Sequence, residues 1–425
     1  MEAAYVEPEH RRPDEGEPGA TEAAGETRDG MMTAGMTRVG TKRTGFAREA
    51  LTRGVCWLAG GCTVALLGGC SGFFSKTTVP AGGSTSGDYV YVVNSATGTL
   101  SGFGIGGATL STLSGSPFTV TTGFAPASVA VTRQNTLLYV GGVGGIVCYS
   151  IGGAGALTLV PAGGVLAQAN FVSLETSPDG NWLLGLDSVT QTIYVYQIQA
   201  ATGALVSASV RNYAVPGGGL ARPSSLRISP NGQIVGAALG TGGDVFFTFN
   251  TATGALSAAT AGVSVASGSD NDVFFDLASA FVFVAHTGTV AGASGVASYS
   301  VSSAGVLAAV GTLAVSGAAP QTLALDSTGG FLYTANRGDS TISGFTVLSG
   351  QLTPLPSSPY ASGKAVTALA IDNSGKYLVA AAPLGASDVT LYGFDAITPG
   401  KLGAVAVAAS GVDPAGSLAV AATHK

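Results

Sequence analysis

Residues 333–345, YTANRGDSTISGF, nearly repeat residues 91–103, YVVNSATGTLSGF, which lie 242 positions earlier. A short Gly-x-Leu motif recurs between and around them. In its first copy two residues, instead of one, separate the glycine from the leucine. Its glycines are Gly107, Gly155, Gly203, Gly254, Gly305, Gly350 and Gly400. Because the intervals between them run from 45 to 51 residues, the chain contains seven similar units, and the two quoted stretches lie five units apart.

Each unit has the same internal pattern, which the third one illustrates. Its apolar runs are NFVSLETS, NWLLGL, TIYVYQI and ALVSASV, separated by polar or glycine-containing turns. Such runs are typical of four antiparallel strands, and no segment has the long 3.6-residue period of a helix. Seven such sheets predict an all-β fold, a seven-bladed β-propeller. The alternative, a parallel solenoid, usually has shorter repeats and needs no closure.

The two ends of the repeat region complement each other. The first unit begins at DYVYVVN, residues 88–94, which matches the second strand of the other units and has no first strand before it. A last copy of the turn between first and second strands occurs in GVDPAGSLAV, residues 411–420. We therefore predict a ring closed by strands from both ends, which removes exposed sheet edges. Leu418–Ala422 also resembles a second strand, and its pairing stays open at this point.

Charge is sparse and uneven. Only 10% of the residues are charged, the formal net charge is −6, and residues 1–70 hold 18 of the 42 charged side chains. A mildly acidic body without a Lys/Arg cluster lacks the basic surface that neutralises phosphates, so nucleic acid is excluded as a partner. We expect a monomer. No His/Cys/Asp/Glu cluster has metal-ligand spacing, and neither a metal nor another cofactor is predicted.

The N-terminal segments indicate export. Residues 1–35 are polar and are predicted to be disordered or untranslated. Residues 36–70 combine a basic region, the apolar run VCWLAGGCTVALL and the ending Leu-Gly-Gly-Cys. This pattern resembles a bacterial lipoprotein signal, in which Cys70 is lipidated and anchors the protein in the periplasm or at the cell surface. Residues 71–87 are then a flexible tether, and residues 88–425 form the propeller.

Two other interpretations of the same segment stay open. It could be an ordinary signal peptide, or a buried apolar helix with a chance cysteine. The remaining cysteine, Cys148, lies in the apolar run GIVCYSI, which favours a buried hydrophobic residue over a reactive thiol.

The repeats resemble a known family. SPDG-x-W-L, Y-V-x-N, T-I-S-G-F and T-G-A-L are similar to repeats of the seven-bladed lactonase-type propellers, relatives of 6-phosphogluconolactonase, and of the YVTN repeat proteins. The resemblance covers residues 88–425 and implies this fold more specifically than it implies an activity. The tripeptide Asn336-Arg337-Gly338 resembles the Asn-Arg-Gly of the lactonase-type members.

Candidate site residues gather on one predicted face of the propeller, where the connections between blades meet the loops between second and third strands. Lactone chemistry needs a proton carrier and a cationic or hydrogen-bonding group for the oxyanion. Arg337, His286 and Arg222 are the candidates for these roles, with Asp272 or Asp339 orienting His286. The predicted ligand-binding residues of this face are Asp187, Asp272, Gln321 and Asp339, with Asp270 and Lys364 nearby. The alternative is that these loops are polar only because they are exposed to water, and that this face binds no ligand.

Two further charges belong to the innermost strands. Aligning these strands places Glu175, Arg227, Ala130, Ala324 and Ala370 at one register. Neighbouring blades three and four therefore carry opposite charges near the axis. We interpret Glu175 and Arg227 as a structural ion pair between blades in preference to a catalytic pair that lines the channel.

Two functions from different classes follow. As an envelope protein, the molecule needs only a rigid disc, a loop face and its anchor to bind an unidentified small molecule, such as a sugar lactone or an anion, or an envelope protein. As a lactone hydrolase, it also needs a positioned base and cation, which the family resemblance implies. Export argues against a phosphorylated sugar lactone of central metabolism as the substrate.

The anchor can be tested directly. Replacing Cys70 with Ala should abolish lipidation and release the protein from the detergent phase in a partitioning assay, whereas deleting residues 2–35 should change nothing. Unchanged partitioning of the Cys70→Ala variant would contradict the lipoprotein prediction.

Overall fold

The computed structural model describes residues 87–121, 123–160, 166–215, 220–257, 260–262, 267–412 and 414–425. Residues 1–86, which include Cys70 and the predicted signal, lie outside the described residues. The described part contains no helix and consists of seven antiparallel sheets arranged as the blades of a propeller. The predicted fold is therefore confirmed.

The strands are numbered along the chain. Blade 1 contains β1 (Tyr89–Asn94), β2 (Thr99–Gly106), β3 (Thr109–Thr112), β4 (Phe118–Thr119) and the C-terminal β32 (Leu418–Ala422). Blade 2 contains β5 (Ala125–Val131), β6 (Leu137–Val143), β7 (Gly145–Ile151) and β8 (Leu157–Leu159). Blade 3 contains β9 (Phe171–Thr176), β10 (Trp182–Asp187), β11 (Thr192–Ile198) and β12 (Leu205–Asn212). Blade 4 contains β13 (Ser225–Ile228), β14 (Ile234–Ala238), β15 (Asp244–Asn250), β16 (Ala255–Leu256) and β17 (Thr260–Ala261).

The last three blades follow the same plan. Blade 5 contains β18 (Ser269–Phe275), β19 (Phe281–Thr287), β20 (Gly295–Val301), β21 (Leu307–Ala309) and β22 (Ala314–Val315). Blade 6 contains β23 (Pro320–Leu325), β24 (Phe331–Asn336), β25 (Thr341–Leu348), β26 (Gln351–Pro354) and β27 (Tyr360–Ala361). Blade 7 contains β28 (Ala368–Ile371), β29 (Tyr377–Ala381), β30 (Val389–Phe394) and β31 (Leu402–Ala408). In blades 1, 4, 5 and 6 the outer position is shared by two short strands.

The ring closes through blade 1. β32 pairs antiparallel with β1, with Val420 opposite Val92, and becomes the innermost strand of that sheet. It also contacts the innermost strands of both neighbouring blades, β28 and β5. The predicted closure is thus confirmed, and Leu418–Ala422, whose pairing the sequence left open, is itself the closing strand. The stretch before Leu418 therefore leads from β31 of blade 7 into a first strand, and its assignment as a turn between first and second strands was wrong.

A small polar seam joins the two ends. The Tyr89 amide donates to Thr423 Oγ1 at 3.1 Å, and the Thr423 amide donates to the Tyr89 carbonyl at 2.9 Å. Next to them, burial and the neighbouring Asp372 raise the pKa of Asp88 to about 7. Because this pKa is raised on folding, the contribution of Asp88 to stability is complete at acid pH and is lost as the pH rises through about 7.

The hydrophobic core is divided among the interfaces between blades. The described residues form seven apolar clusters, and each cluster joins side chains from two neighbouring blades. One of them packs Val90 of blade 1 against Val379 of blade 7 and so continues the core across the seam. A blade therefore buries its two faces only when both neighbours are present.

The Gly-x-Leu repeat is explained by these interfaces. Gly155, Gly203 and Gly254 have φ angles of +74°, +68° and +72°, a conformation that favours glycine. Each lies against a side chain of the preceding blade: Tyr91 donates to the Gly155 carbonyl at 2.8 Å and Tyr139 to the Gly203 carbonyl at 3.0 Å. A Cβ atom on Gly254 would approach the Trp182 ring to 2.5 Å. In blades 2, 3 and 4 the repeat thus marks the turn through which a blade docks on the one before it, whereas a Cβ atom on Gly107 of blade 1 would meet no atom within 4 Å.

We expect removal of residues 414–425 to open the ring, because blade 1 loses β32 and the end blades gain exposed edges. The shortened protein should melt well below the full chain or associate, as measured by thermal denaturation and size-exclusion chromatography. A chain lacking Lys425 alone is the control. A monomer with an unchanged melting temperature would contradict the closure.

The docking turn gives a second prediction. Gly254→Ala should destabilise the protein by about 1–3 kcal/mol more than Gly311→Ala, because its methyl group overpacks against Trp182. Gly311 is a matched control: its φ angle is +73°, and no atom lies within 4 Å of a Cβ placed there. Denaturant unfolding of the two variants measures the difference, and equal losses of stability would show that the contact between blades contributes nothing.

Candidate functional site

Two cavities follow one another along the propeller axis. The mouth cavity, about 170 Å³, is bordered by the N-terminal halves of all seven innermost strands or the residues just before them. The floor cavity, about 260 Å³, is bordered by their C-terminal halves and by Thr423 and His424. Four residues border both cavities: Val129, Arg227, Leu369 and Val420. Arg227 is therefore the charged group at the junction of the two cavities.

Arg227 lies between two carboxylates from the adjacent blades. Its Nη1 atom is 3.3 Å from Glu175 Oε2 of blade 3, and its Nη2 atom is 3.4 Å from Asp272 Oδ2 of blade 5. The guanidinium also lies over the Phe274 ring, 5.6 Å from its centroid. The structure thus brings Glu175 and Arg227 together in the channel wall and adds a second carboxylate that the strand alignment did not include.

Asp272 fixes this arrangement across three blades. Its Oδ1 atom accepts a hydrogen bond from Ser225 of blade 4, and its Oδ2 atom accepts from Thr322 Oγ1 at 3.0 Å and from the Leu323 amide at 2.8 Å, both in blade 6. Its side chain is only 2% exposed. Asp272 therefore positions Arg227 and joins blades 4, 5 and 6 at the axis.

Glu175 holds a proton more readily in this site than a glutamate does in water. Burial raises the pKa of Glu175, and the attraction of Arg227 offsets only part of the rise. For Arg227, burial lowers the pKa, but Asp272 and Glu175 more than compensate, so its pKa is raised and it stays charged. A proton acceptor of increased basicity thus lies beside a permanent cation.

Arg227 also retains unused donors. A guanidinium has five N–H groups, and Glu175 and Asp272 each accept one hydrogen bond from it. Its Nε atom is buried and has no hydrogen-bond partner among the described residues. The Arg227 side chain as a whole is 27% exposed and borders both cavities, so an oxygen atom that enters the channel meets the guanidinium at atoms other than Nε.

Three of the residues predicted on the loop face, here called the rim residues, lie apart from these cavities: Arg222, Arg337 and Asp339. Arg222 and Arg337 are exposed, and Asp339, also exposed, accepts hydrogen bonds from the Ala318 amide at 2.9 Å and from Thr341 Oγ1 at 2.8 Å. These three side chains border neither cavity. Of the predicted ligand-binding residues, Gln321 and Asp272 do border the mouth cavity.

His286 has a different partner from the predicted ones. Its Nδ1 atom is 2.8 Å from Asp270 Oδ1, whereas Asp272 and Asp339 bond other groups. Burial raises the pKa of Asp270, and the hydrogen bond to His286 partly reverses this. The prediction of Asp272 or Asp339 as the orienting residue was wrong because Asp270, not Asp272, lies opposite His286 in the pairing of β18 with β19.

Several residues predicted in loops belong to strands. Asp187 is the last residue of β10, Asp270 and Asp272 lie in β18, His286 in β19 and Gln321 in β23. Asp187 is buried and accepts hydrogen bonds from the Val189 amide at 2.6 Å and the Thr190 amide at 3.0 Å. These bonds give it a role in ordering the turn after β10.

The remaining groups of the described chain give no sign of metal chemistry. No group of three or more His, Cys, Asp or Glu side chains among the described residues could hold a metal ion. Burial raises the pKa of the Cys148 thiol to about 12, which fits a buried hydrophobic residue. In the same part of the chain, no helix is long and apolar enough to cross a membrane.

Polar residues of the mouth cavity were missed in the sequence. They include Ser173, Ser225 and Thr322, which precede Glu175, Arg227 and Ala324 by two residues each. Alternate residues of a strand share one face. Comparing the residues two positions before Glu175, Arg227 and Ala324 in the same strand alignment would therefore have revealed them. The signal was therefore present in the strand alignment.

Comparison with known proteins agrees with this architecture. The family of lactonases with a seven-bladed β-propeller matches residues 82–366. A periplasmic gluconolactonase of Pseudomonas aeruginosa is similar in structure, with a TM-score of 0.61 and 18% identity over 79% of this chain and 99% of that one. A candidate 6-phosphogluconolactonase of Bacteroides uniformis has a TM-score of 0.62, also with 18% identity, 79% and 99% being covered. No curated protein matches the sequence.

The axial network yields a stability prediction. Asp272→Ala should lower the free energy of unfolding by about 3 kcal/mol, because it leaves Arg227 with one partner and removes the acceptor of Thr322 and Leu323. Asp339→Ala, an exposed aspartate of the same face, should barely change it. Denaturant titrations of both variants test this, and equal effects would show that Asp272 does not hold the blades together.

Proposed function

The chain belongs to the lactonase family of seven-bladed β-propellers, and from that premise we propose that it hydrolyses a sugar lactone in its axial channel. The observation that carries the proposal is the guanidinium of Arg227, which borders both cavities beside Glu175 and donates one hydrogen bond to each of two carboxylates. A carbonyl oxygen that becomes negatively charged during the reaction fits beside this permanent cation.

Arg227 is the proposed oxyanion-binding residue. Its remaining N–H groups can hold the lactone carbonyl oxygen, and such charge-assisted hydrogen bonds strengthen as the oxygen becomes an anion. Asp272 keeps the guanidinium in place from the neighbouring blade. The binding of an oxyanion therefore needs no movement of the side chain.

Glu175 is the proposed general base, which replaces the purely structural ion pair that we favoured from the sequence, because Glu175 and Arg227 both border the floor cavity. It removes a proton from a water molecule whose oxygen attacks the lactone carbonyl carbon, and the resulting oxyanion rests against Arg227. The bond between this carbon and the ring oxygen then breaks, and the ring oxygen takes the proton from Glu175. The product is the open hydroxy acid, and the glutamate returns to its ionised form. Its raised pKa makes the carboxylate a stronger base.

The compartment supports an unphosphorylated substrate. The signal-like residues 36–70 underlie the further proposal of a lipid-anchored envelope protein, where phosphorylated sugars of central metabolism are not the expected substrates. The similar Pseudomonas aeruginosa protein bears the name of a periplasmic gluconolactonase. Both points favour gluconolactone as the first substrate to test.

The decisive experiment compares Glu175→Gln with the wild type in a pH-stat assay on glucono-1,5-lactone. Loss of the base should lower kcat by about 10²–10⁴-fold with little change in KM. In the wild type, kcat should rise with pH as Glu175 loses its proton, with a midpoint above that of an ordinary glutamate. Arg337→Ala is the control for the rim and should affect KM more than kcat.

Two outcomes contradict the proposal. An unchanged kcat in Glu175→Gln would remove the carboxylate from the reaction. Binding of the lactone without turnover by the wild type would instead favour a ligand-binding protein of the envelope, the other function that the sequence suggested.

A further inference from the structure

The chain enters the propeller on the side of the floor cavity. Gly87 and Asp88, where the described part of the chain begins, contact the turn after β28. In this turn the Asn373 amide donates to Asp88 Oδ1 at 3.1 Å, and the Asn373 side chain donates to the Gly87 carbonyl at 3.5 Å. The C-terminal half of β28 borders the floor cavity, so the turn lies at the same end of the blades. We call this end the floor face and the opposite end the mouth face.

Two apolar side chains are exposed on the floor face. Third strands end there, because they run in the same direction as first strands. Ile397 lies in the turn between β30 and β31 of blade 7 and is 92% exposed, the highest value of any large apolar side chain in the described part of the chain. Leu348 ends β25 of blade 6 and is 78% exposed. Single exposed apolar residues are ordinary, but two on adjacent turns form a candidate contact surface.

The Ile397 turn is ordered and lies next to the entry point. Asp395 accepts hydrogen bonds from the Ile397 and Thr398 amides, both at 2.8 Å. The Phe394 amide donates to the Lys376 carbonyl at 3.4 Å, and Lys376 ends the turn that contacts the entering chain. The exposed isoleucine is therefore held in place beside the position at which the chain enters the ring.

The same turn contacts blade 6 on its other side. Tyr333 of β24 donates to the Gly400 carbonyl at 2.7 Å, and Gly400 belongs to the Ile397 turn. β24 pairs with β25, so that Phe331 lies opposite Thr346, two residues before Leu348. The entry point and the two apolar tips thus belong to one continuous surface.

Two lysines add positive charge to this surface. Lys376 is exposed and forms no ion pair within the described part of the chain. Lys401 ends the Ile397 turn, with its Nζ atom 4.0 Å from Asp395 Oδ2 and its side chain 43% exposed. The carboxylate of Asp372 is buried and accepts a hydrogen bond from the Tyr377 amide at 2.6 Å. Of the two exposed cations, only Lys401 therefore has an exposed carboxylate beside it.

We infer that this floor patch, defined by Leu348, Lys376, Ile397 and Lys401, docks on the anionic surface of a lipid bilayer and keeps the mouth face away from it. The inference rests on the proposed lipid anchor at Cys70, to which it adds an orientation, and it does not depend on lactone hydrolysis. Apolar side chains that enter the headgroup region beside lysines that attract anionic lipids are the two contributions that hold proteins at a membrane surface.

The length of the tether supports this partner. A flexible chain spans about 5–6 Å times the square root of its number of residues, so residues 71–87 keep the entry point within about 20–25 Å of the lipidated cysteine. Such a short link gives the floor patch an effective concentration in the millimolar range at the bilayer, at which weak contacts suffice. The mouth face also has exposed apolar side chains, such as Val189, but these lie at the other end of the blades.

The orientation is tested with the lipid-anchored protein in phosphatidylglycerol vesicles that contain a nitroxide-labelled lipid. A fluorophore on Ile397→Cys should lose its emission, because the floor patch lies within about 5–10 Å of the lipid headgroups. Burial raises the pKa of the Cys148 thiol to about 12, so it does not compete for the label. Val189→Cys is the matched control: Val189 is 69% exposed on the mouth face, and its fluorophore should stay bright. Equal quenching at both positions, or stronger quenching at position 189, would overturn the inference.

A second measurement does not need the anchor. Residues 71–425 contain all seven blades and the closing strand, so they fold without it. In sedimentation assays this chain should bind phosphatidylglycerol vesicles more tightly than phosphatidylcholine vesicles. Ile397→Ser should weaken the binding about tenfold, since burial of an isoleucine side chain stabilises by at least about 1.5 kcal/mol. Lys376→Gln should weaken it about fivefold, the equivalent of about 1 kcal/mol for a lysine near an anionic surface.

Val189→Ser is the control for the sedimentation assay and should leave binding unchanged. A loss equal to that of Ile397→Ser, or equal binding to the two kinds of vesicle, would overturn the inference. If mass spectrometry finds no lipid on Cys70, the anchor is refuted and the binding of residues 71–425 decides the inference alone. Shielding of the fluorophore at position 397 that rises with protein concentration in the absence of lipid would assign the patch to a second copy of the chain and overturn it.

Discussion

The propeller depends on the contact by which each blade docks on the one before it. In blades 2, 3 and 4 a turn glycine with a positive φ angle lies against a tyrosine or tryptophan of the preceding blade, as Gly155 does with Tyr91 and Gly254 with Trp182. A larger residue at such a position would destabilise the fold in two ways. Its backbone would be strained at a positive φ angle, and its side chain would clash with the neighbouring ring. The seven interfaces each enclose an apolar cluster, so the described part of the chain has seven small cores instead of one central core.

This division of the core leaves the axis available for polar chemistry. Because the apolar side chains pack between blades, the innermost strands can present serines, threonines and charged groups to the channel without weakening a central core. The Arg227 group occupies the point where blades 3, 4 and 5 meet. Asp272 extends the connection to blade 6. The same hydrogen bonds therefore hold the ring together and position the candidate site.

The sequence predicted the fold well because its determinants are local and repeated. The glycine period, the turns and the missing first strand of unit one sufficed for seven blades and their closure. The Glu175–Arg227 register was also readable, since strand alignment preserves it. Ser173, Ser225 and Thr322 of the mouth cavity were readable from the same alignment, but the part of the cavity around Asn271 was harder to predict, because β18 and β23 each have a bulge that shifts the pairing at Asn271 and Gln321. A bulge changes which side chains reach the channel, and no residue pattern announced it. For the same reason His286 received the wrong partner.

The seam between Tyr89 and Thr423 has a topological consequence. The two ends of the propeller lie within hydrogen-bonding distance of each other. The gap between them takes the place that the turn between first and second strands takes in every other blade. Circular permutation, in which a short linker bridges the seam and new termini open at one of those turns, would preserve all seven interfaces between blades. The order of the blades around the axis, and not the order of the residues along the chain, is the property that the architecture requires.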